Sequence, residues 1–369
     1  MTAGSAYGED VPEVETGRRD RLAAQLAARD IDAALVTDMV NVRYLTGFTG
    51  SNGALLVQAS GAAAFATDGR YTGQASLQCP DLPITTTRRL CADLLQTAGR
   101  IGRLAVETHS LTVDAYAALS ATADPGTTVV SLDRAVETLR VVKDDGEIAA
   151  LQRACAISTD ALQQVLAGPL KGRSEREVAR DLEWRMFALG AEAIAFDTIV
   201  AGGPNSAVPH HMPTERPLAR GDLLKIDFGA RVDGYHADCT RTSVLGEPAD
   251  WQREIHAAVR SAQQAGVDAM VAGAAVVRPD AVARQVLDEA GWLERFTTGI
   301  GHGVGLQIHE DPFVGPRHPG RLMDRTPVTM EPGIYLPGRG GVRIEDTLVV
   351  GTGTPQVLTD APRELLVVG

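Results

Sequence analysis

The sequence has few cysteines, no long apolar run and no block of positive charge, and each absence excludes a class of protein. The four cysteines are widely spaced, at Cys79, Cys91, Cys155 and Cys239. They form no CxxC pair, so we expect reduced thiols rather than a disulfide framework or a zinc clip. No stretch approaches the ~18 apolar residues that span a bilayer, and residues 1–20 contain no apolar signal core. We therefore expect a cytoplasmic protein with no membrane partner.

The charge balance also limits the choice of partners. The 47 acidic residues outnumber the 35 basic ones, which gives a net charge of -12. No Lys/Arg run of the kind that follows a phosphate backbone is present, so we expect no nucleic-acid partner. Apolar residues make up 44% and charged residues 22%, a balance typical of a globular protein. A length of 369 residues predicts two domains.

The first part of the chain reads as an α/β domain. Short apolar runs at residues 33–37, 54–58, 63–67 and 104–107 predict strands, and helical patterns separate them. A charged, glycine-containing break, Val141-Val-Lys-Asp-Asp-Gly146, then interrupts the pattern. We place the domain boundary near Lys143, which gives an N-terminal domain of residues 1–142 and a C-terminal domain of residues 143–369.

Beyond this boundary, the order helix, helix, hairpin occurs twice. In the first half, a helix from Asp144 precedes a helix that Ser174 and Glu177 open as a capping box, with Val178, Leu182, Met186 and Leu189 on one stripe. Strands at residues 223–230 and 235–244 follow. In the second half, helices at 250–271 and 279–290 precede strands at 328–336 and 342–350. The repeated order predicts a duplicated α+β unit with pseudo-twofold symmetry.

Two acids lie near the middle of the first predicted hairpin. Asp233-Gly234 has the chemistry of a tight two-residue turn. A turn at this point pairs Asp227 with Thr240, so Asp238 lies on the same face as Asp227. Cys239 then points to the opposite face of its strand, and we interpret it as a core residue.

The second predicted hairpin repeats this arrangement. With Gly338 at its centre, Glu331 lies directly opposite Glu345, with Arg343 on the same face. Any one of these acids could lie on a solvated strand face or pair with an arginine. Four acids in the middle of two hairpins need a compensating cation, because like charges that face each other across a ladder are destabilising. Two divalent ions would balance four carboxylates and would activate a water for hydrolysis.

Two of the eight histidines lie in a glycine-rich segment, Thr298-Gly-Ile-Gly-His-Gly-Val-Gly-Leu-Gln-Ile-His-Glu310. We expect His302 to be a metal ligand, and an imidazole among oxygen ligands suits Mn²⁺, Co²⁺ or Zn²⁺, with Mn²⁺ preferred. His309 is better placed to donate a hydrogen bond near the metals. His210 and His211 lie in a proline-rich loop, where one of them is expected to touch substrate.

Five ordered segments carry a family resemblance: Lys225-Ile-Asp-Phe-Gly-Ala230, Gly234-Tyr-His-Ala-Asp-Cys-Thr-Arg-Thr242, Gly301-His-Gly-Val-Gly-Leu-Gln-Ile-His-Glu310, Met330-Glu-Pro-Gly-Ile-Tyr335 and Val342-Arg-Ile-Glu-Asp-Thr347. In order and spacing they resemble the metal-binding segments of the pita-bread metallopeptidases (M24B), and most closely the branch of Xaa-Pro aminopeptidase and Xaa-Pro dipeptidase (prolidase). Residues 41–53 and Thr67-Asp-Gly-Arg-Tyr71 resemble the creatinase-like domain of that branch. The resemblance implies an α/β creatinase-like N-terminal domain followed by an α+β pita-bread domain.

The resemblance also implies a ligand for each metal. Asp227 would chelate one ion, Asp238 and Glu345 would bridge both, and His302 and Glu331 would complete the second site. The substrate would be a proline-containing peptide, cut at the bond that precedes proline. The resemblance further implies a homodimer.

The resemblance also implies roles for four residues around the metals. Glu331 would shuttle the proton and His309 would stabilise the tetrahedral intermediate. His210 would contact the substrate near its proline, and Arg343 would orient the neighbourhood of Glu345 or a substrate carboxylate. The family usually has a histidine where this sequence has Thr298, and Thr cannot take a positive charge.

Several functions remain open within the resemblance. We favour an Xaa-Pro aminopeptidase, because the N-terminal domain resembles that of compact bacterial aminopeptidases P, with Xaa-Pro dipeptidase as the alternative. A methionine aminopeptidase is disfavoured by the extra N-terminal domain. From another class, the chain could be a non-catalytic pita-bread binding protein, but the full ligand set argues against this.

Overall fold

The chain separates into two units between Arg140 and Val141. The structure, a computed structural model, describes residues 11–369. Over that range, no helix combines the length and the apolar character that a bilayer crossing requires.

A six-stranded sheet in the order β4-β3-β2-β1-β5-β6 forms the N-terminal unit. Its strands are β1 (Ala33–Val36), β2 (Gly53–Gln58), β3 (Ala63–Thr67), β4 (Ile84–Thr86), β5 (Arg103–Val106) and β6 (Thr128–Ser131). Its helices are α1 (Val11–Ala28), α2 (Met39–Thr46), α3 (Thr72–Gln78), α4 (Leu90–Thr97), α5 (Val113–Thr122) and α6 (Ala135–Arg140). β1 runs antiparallel to β2 and parallel to β5. The four predicted strands are confirmed to within one residue, whereas the two short edge strands β4 and β6 were not predicted.

Two pairs of helices define the halves of the C-terminal unit. They are α7 (Asp145–Leu166) and α8 (Glu175–Ala188) in the first half, and α9 (Asp250–Ala269) and α10 (Val277–Glu289) in the second. The predicted capping box is confirmed, because the Ser174 hydroxyl accepts from the Glu177 amide at 3.2 Å and the Glu177 carboxylate accepts from the Ser174 amide at 2.7 Å. Leu189 was wrongly placed on the buried stripe, since α8 ends at Ala188 and Leu189 is 38% exposed.

Each pair of helices packs against its own sheet. The strands of the unit are β7 (Ala193–Ile194), β8 (Ile199–Gly202), β9 (Leu223–Phe228), β10 (Ala230–Val232), β11 (Tyr235–His236), β12 (Cys239–Leu245), β13 (Gly301–Gly303), β14 (Glu310–Val314), β15 (Pro327–Met330), β16 (Gly333–Leu336), β17 (Gly340–Arg343), β18 (Asp346–Val349), β19 (Gln356–Val357) and β20 (Val367–Val368). The first half contributes the sheet β20-β12-β9-β8 and the second the sheet β14-β13-β15-β18-β19. One apolar core joins α7 and α8 to the first sheet, and another joins α9 and α10 to the second. The predicted repeat of helix, helix, hairpin is present in both halves.

The first hairpin has the predicted register. Asp227 pairs with Thr240, and Val232 pairs with Tyr235 across a two-residue turn. Both turn residues have positive φ, 51° at Asp233 and 83° at Gly234, as a type I′ turn requires. Cys239 is fully buried in the apolar core, as predicted.

The second hairpin also has the predicted register, but its strands are not continuous. Ladder pairs lie on both sides of the two glutamates, with Gly333 opposite Arg343 and Met330 opposite Asp346. The ladder stops at residues 331–332 and 344–345, so the predicted strands 328–336 and 342–350 are each split in two. Pro332 has no amide hydrogen and cannot donate to a ladder, which explains the break on its side of the hairpin. The first hairpin is interrupted in the same way at residues 229 and 237–238.

Candidate metal centre

The two aspartates of the first hairpin occupy different backbone environments. Asp227 lies within β9, whereas Asp238 lies in the gap between β11 and β12. One oxygen of Asp227, Oδ2, accepts a hydrogen bond from Arg343. The other, Oδ1, is buried and has no hydrogen-bond partner among the described residues. A buried carboxylate oxygen without a donor is a group to which a cation can bind.

The two glutamates of the second hairpin both lie in its ladder gaps. The amide of Glu331 donates to the carbonyl of Ile300 at 2.8 Å, and the amide of Glu345 donates to the carbonyl of Thr240 at 3.0 Å. The Thr240 hydroxyl also donates to Glu345 Oε2 at 2.7 Å. The first hairpin thereby positions both the backbone and the side chain of Glu345.

His302 on β13 directs one ring nitrogen towards the acids. Its Nδ1 lies 3.0 Å from the carbonyl oxygen of Gly303, and its Nε2 lies 3.5 Å from Asp238 Oδ2 and 3.6 Å from Glu331 Oε1. A carbonyl only accepts, so Nδ1 carries the hydrogen and Nε2 presents a lone pair. Burial lowers the pKa of His302 to about 4, so the imidazole is neutral near pH 7. This is the form of histidine that binds a metal.

The carboxylates around His302 repel one another in the absence of a cation. Ligand atoms of Asp238, His302 and Glu345 all lie within 4.8 Å of one another. Burial raises the pKa of Asp238 well above its ordinary value, and the charges of Glu345 and Asp227 raise it further. Burial likewise raises the pKa of Glu345, with further contributions from Glu331 and Asp227. A set of hard oxygen donors and one imidazole, held this close together, fits divalent metal ions.

Arg343 lies beneath the acids and is only 1% exposed. In addition to Asp227, its guanidinium donates to the Thr240 hydroxyl at 2.9 Å, the Tyr335 hydroxyl at 3.0 Å and the Pro209 carbonyl at 3.2 Å. Two alternative roles were predicted for Arg343, and these contacts are those of a residue that holds the acids in place. Thr240 and Tyr335 were not predicted as site residues, because a hydroxyl within a strand gives no distinctive sequence signal.

His309 and His210 lie at the exposed side of the centre. The His309 ring stands edge-on to His302, with 4.4 Å between ring centroids. Burial lowers the pKa of His309, and the charge of His210 lowers it further. The backbone before His210 is anchored by Lys225, whose Nζ donates to the carbonyls of Val208 at 2.6 Å and Pro209 at 3.0 Å. Lys225 was not predicted either.

Comparison with known protein families assigns both parts of the chain. Residues 149–352 match metallopeptidase family M24, and residues 18–142 match the creatinase/prolidase N-terminal domain. The chain belongs to metallopeptidase family M24. The predicted family and fold class are therefore confirmed.

Relatives of this M24 chain match it along nearly its whole length. The Xaa-Pro dipeptidase of Pyrococcus furiosus is 33% identical over 352 residues, which are 95% of this chain and 99% of the relative. The structure of an Xaa-Pro dipeptidase from Bacillus anthracis has a TM-score of 0.92 and 37% identity, with 96% of this chain and 100% of that chain covered. An X-Pro aminopeptidase from Thermotoga maritima has a TM-score of 0.87 and 34% identity, with 95% and 99% covered.

These relatives confirm the prediction of a peptidase. The M24 chain is a metallopeptidase, a hydrolase whose family implies divalent metal ions. The ions would be held by carboxylates and an imidazole that the fold brings together from both hairpins and from β13.

Proposed function

We propose that this metallopeptidase is an Xaa-Pro dipeptidase, which hydrolyses the single peptide bond of a dipeptide that ends in proline. The observation that carries the proposal is the buried set of mutually repelling acids around the lone pair of His302, in a chain whose full-length relatives include Xaa-Pro dipeptidases. The prediction that favoured an aminopeptidase is not confirmed, and these relatives fit its alternative better.

Five residues would hold two divalent ions in this proposal: Asp227, Asp238, His302, Glu331 and Glu345. When bound, the ions would polarise the substrate carbonyl and lower the pKa of a water, which would then supply hydroxide as the nucleophile near neutral pH. Asp227 Oδ1 is buried and accepts no hydrogen bond from the described residues, and His302 Nε2 carries a lone pair that can bind an ion. We keep Mn²⁺ as the expected ion, with Co²⁺ and Zn²⁺ as the other candidates.

Glu331 is the acid that we assign to proton transfer. Its side chain is 17% exposed, against 7% for Asp238, so a substrate can reach it. Glu331 would take a proton from water and return it to the leaving nitrogen of proline. Burial raises the pKa of Glu331 to about 7 in the site without an ion.

Three further residues receive supporting roles. His309, exposed beside His302, would donate to the oxygen on which negative charge develops. His210 would contact the proline end of the substrate. Arg343 would hold Asp227 directly and Glu345 through Thr240.

An Xaa-Pro aminopeptidase is the second candidate. It is favoured by the similarity to the Thermotoga maritima structure, which is also matched along nearly its full length. The two activities differ in whether residues beyond proline are accepted.

The remaining predictions concern the context of the site. We propose residues 1–142 and 143–369 as the functional domains, with catalysis in the second. A homodimer and a cytoplasmic location stay predictions. Gel filtration with light scattering tests the dimer directly.

Turnover of Ala-Pro and Ala-Pro-Ala tests the proposed function. The protein is stripped with a chelator and assayed before and after the addition of Mn²⁺, Co²⁺ or Zn²⁺, with Glu331→Ala as the inactive control. We expect metal-dependent cleavage of Ala-Pro and little cleavage of the tripeptide. Comparable cleavage of Ala-Pro-Ala before proline would favour the aminopeptidase, and failure to cleave either peptide with any ion would contradict both.

A further inference from the structure

The segment that carries His210 is attached to a buried carboxylate on another element. We call residues 203–214 the His210 loop, and it follows β8 directly. Glu175, the first residue of α8, is fully buried. Its Oε1 accepts from the Gly202 amide at 2.8 Å and from the Asn205 side chain at 2.9 Å. Two residues near the end of the loop, His211 and Thr214, donate to its other oxygen.

The contacts at that second oxygen follow His210 in the chain, whereas the contacts at Oε1 precede it. Glu175 Oε2 lies 2.8 Å from His211 Nε2, 2.7 Å from the Thr214 hydroxyl and 3.0 Å from the Thr214 amide. A carboxylate can accept all of these hydrogen bonds, and bonds to a charged acceptor are stronger than neutral ones. One side chain therefore holds both ends of the His210 loop.

The middle of the loop is attached to the two hairpins of the metal centre. Lys225 and Arg343 both donate to the carbonyl of Pro209, the residue before His210. The Ser206 hydroxyl accepts from the Gly341 amide on β17 at 2.9 Å. The loop is thus held by the same two hairpins that carry four of the candidate metal ligands.

These attachments give two adjacent histidines different environments. The His211 side chain is 12% exposed and directs Nε2 to Glu175, whereas His210 is exposed. An ionised Glu175 only accepts, so His211 Nε2 carries a hydrogen and is committed to this bond. His211 is an anchor of the loop, which leaves His210 as the histidine available to a substrate.

We propose that Glu175 is a positioning residue for substrate binding: it fixes the His210 loop and thereby sets where His210 meets the proline end of the dipeptide. The role of His210 rests on the proposed function, whereas the attachment of the loop does not. Glu177 provides a matched comparison, because it lies in the same turn of α8 but caps only its own helix through Ser174.

Kinetics on Ala-Pro with added Mn²⁺ test the proposal. Glu175→Gln keeps the size of the side chain but turns an amide NH₂ towards groups that are themselves donors. We expect KM to rise by roughly 10-fold to 100-fold, a range set by the cost of misplacing a substrate contact, with a smaller change in kcat. Glu175→Asp restores the charge and is expected to recover part of the loss. Glu177→Gln is expected to leave KM within about twofold.

A double-mutant cycle distinguishes positioning from general destabilisation. If Glu175 acts through His210, Glu175→Gln adds little to KM in a His210→Ala background. Fully additive effects of the two substitutions would overturn the proposal, as would an unchanged KM in Glu175→Gln.

Hydrogen exchange gives a readout that does not depend on activity. We expect peptides that cover residues 203–214 to exchange at least ~10-fold faster in Glu175→Gln than in the parent, and unchanged in Glu177→Gln. Unchanged exchange in Glu175→Gln would overturn the anchoring. If the parent cleaves no Ala-Pro but the loop exchanges faster in Glu175→Gln, the proposed function fails while the anchoring stands.

Discussion

Glu345 and Asp346 are consecutive buried acids with opposite surroundings. Asp346 is fully buried and accepts four side-chain hydrogen bonds or ion-pair contacts at 2.6–2.7 Å, from Arg241, Thr359, Gln263 and Arg363. Glu345, 2% exposed, accepts from the Thr240 hydroxyl and otherwise faces Asp238, Glu331 and His302. Two residues of the same charge and similar burial therefore differ in whether the protein supplies their counter-charge.

This difference separates a structural acid from a metal ligand better than burial does. At Asp346, two arginines supply positive charge, so the folded protein needs no external ion there. At Glu345, burial raises the pKa most, and the charges of Glu331 and Asp227 each raise it by more than the charge of Arg343 lowers it. A cation from solution would relieve the repulsion at Glu345 and has no comparable role at Asp346.

The largest effect is expected from replacing Asp346, the acid whose charge two arginines balance. Asp346→Asn leaves Arg241 and Arg363 without a buried anion, and we expect the free energy of unfolding to fall by about 3–5 kcal/mol. Urea denaturation of the metal-free protein measures this. A loss below about 1 kcal/mol would mean that Asp346, like Glu345, is not needed for the stability of the metal-free protein.

Replacing Glu345 should have the opposite result, a large loss of activity with no loss of stability. Glu345→Gln is expected to lower kcat/KM on Ala-Pro by more than about 100-fold, beyond what the loss of a supporting residue costs. The metal-free variant should unfold at the same urea concentration as the parent or at a higher one, because a neutral amide removes repulsion among the acids. Strong destabilisation of metal-free Glu345→Gln would break the comparison.

His256 limits the pH range in which these stabilities can be compared. Burial on α9, together with the charge of Arg260, lowers the pKa of His256 from 6.5 to about 4. The unfolded chain therefore binds a proton below pH 6.5 that the folded chain does not bind until about pH 4. The contribution of His256 to stability is complete above pH 6.5 and is lost as the pH falls towards 4.

We expect this loss to reach about 2 kcal/mol between pH 6.5 and pH 5, at about 1.4 kcal/mol per pH unit. Urea titrations of the parent and of His256→Gln at both pH values give the difference. Equal pH dependence in the two proteins would show that His256 is not the cause.

The smallest effect concerns the Thr240 hydroxyl, which donates to Glu345. Thr240→Val removes the donor to Glu345 and the acceptor for Arg343, and we expect Mn²⁺ affinity to fall by about 10-fold. Thr242→Val is the matched control, because the Thr242 hydroxyl lies on the same strand but bonds only to the backbone of Arg343. Calorimetric titration should separate them, and equal affinities would argue against a role for Thr240.

Local patterns in the sequence were sufficient to predict the hairpins. The alternation of residues and the Asp233-Gly234 turn determine which residues face each other, so the pairing of Asp227 with Thr240 could be predicted. The capping box at Ser174 and the burial of Cys239 follow from equally local rules.

Features that depend on distant parts of the chain could not be predicted. The gap at residues 344–345 lies where the Glu345 amide bonds to Thr240 on β12 of the other hairpin. The partners of Asp346 come from α9, β12 and the C-terminal segment, and no spacing rule relates them. For the same reason, Glu175 gave no signal, because its partners lie about 30–40 residues away in the chain.

The most direct test of the metal centre is the number of Mn²⁺ ions that remain bound per chain after dialysis, measured by elemental analysis. We expect two ions for the parent, fewer for Glu345→Gln, and two for Asp346→Asn under conditions in which that variant is folded. Retention of both ions by Glu345→Gln, or no bound ion in the parent at any Mn²⁺ concentration that saturates activity, would contradict the proposed two-ion centre.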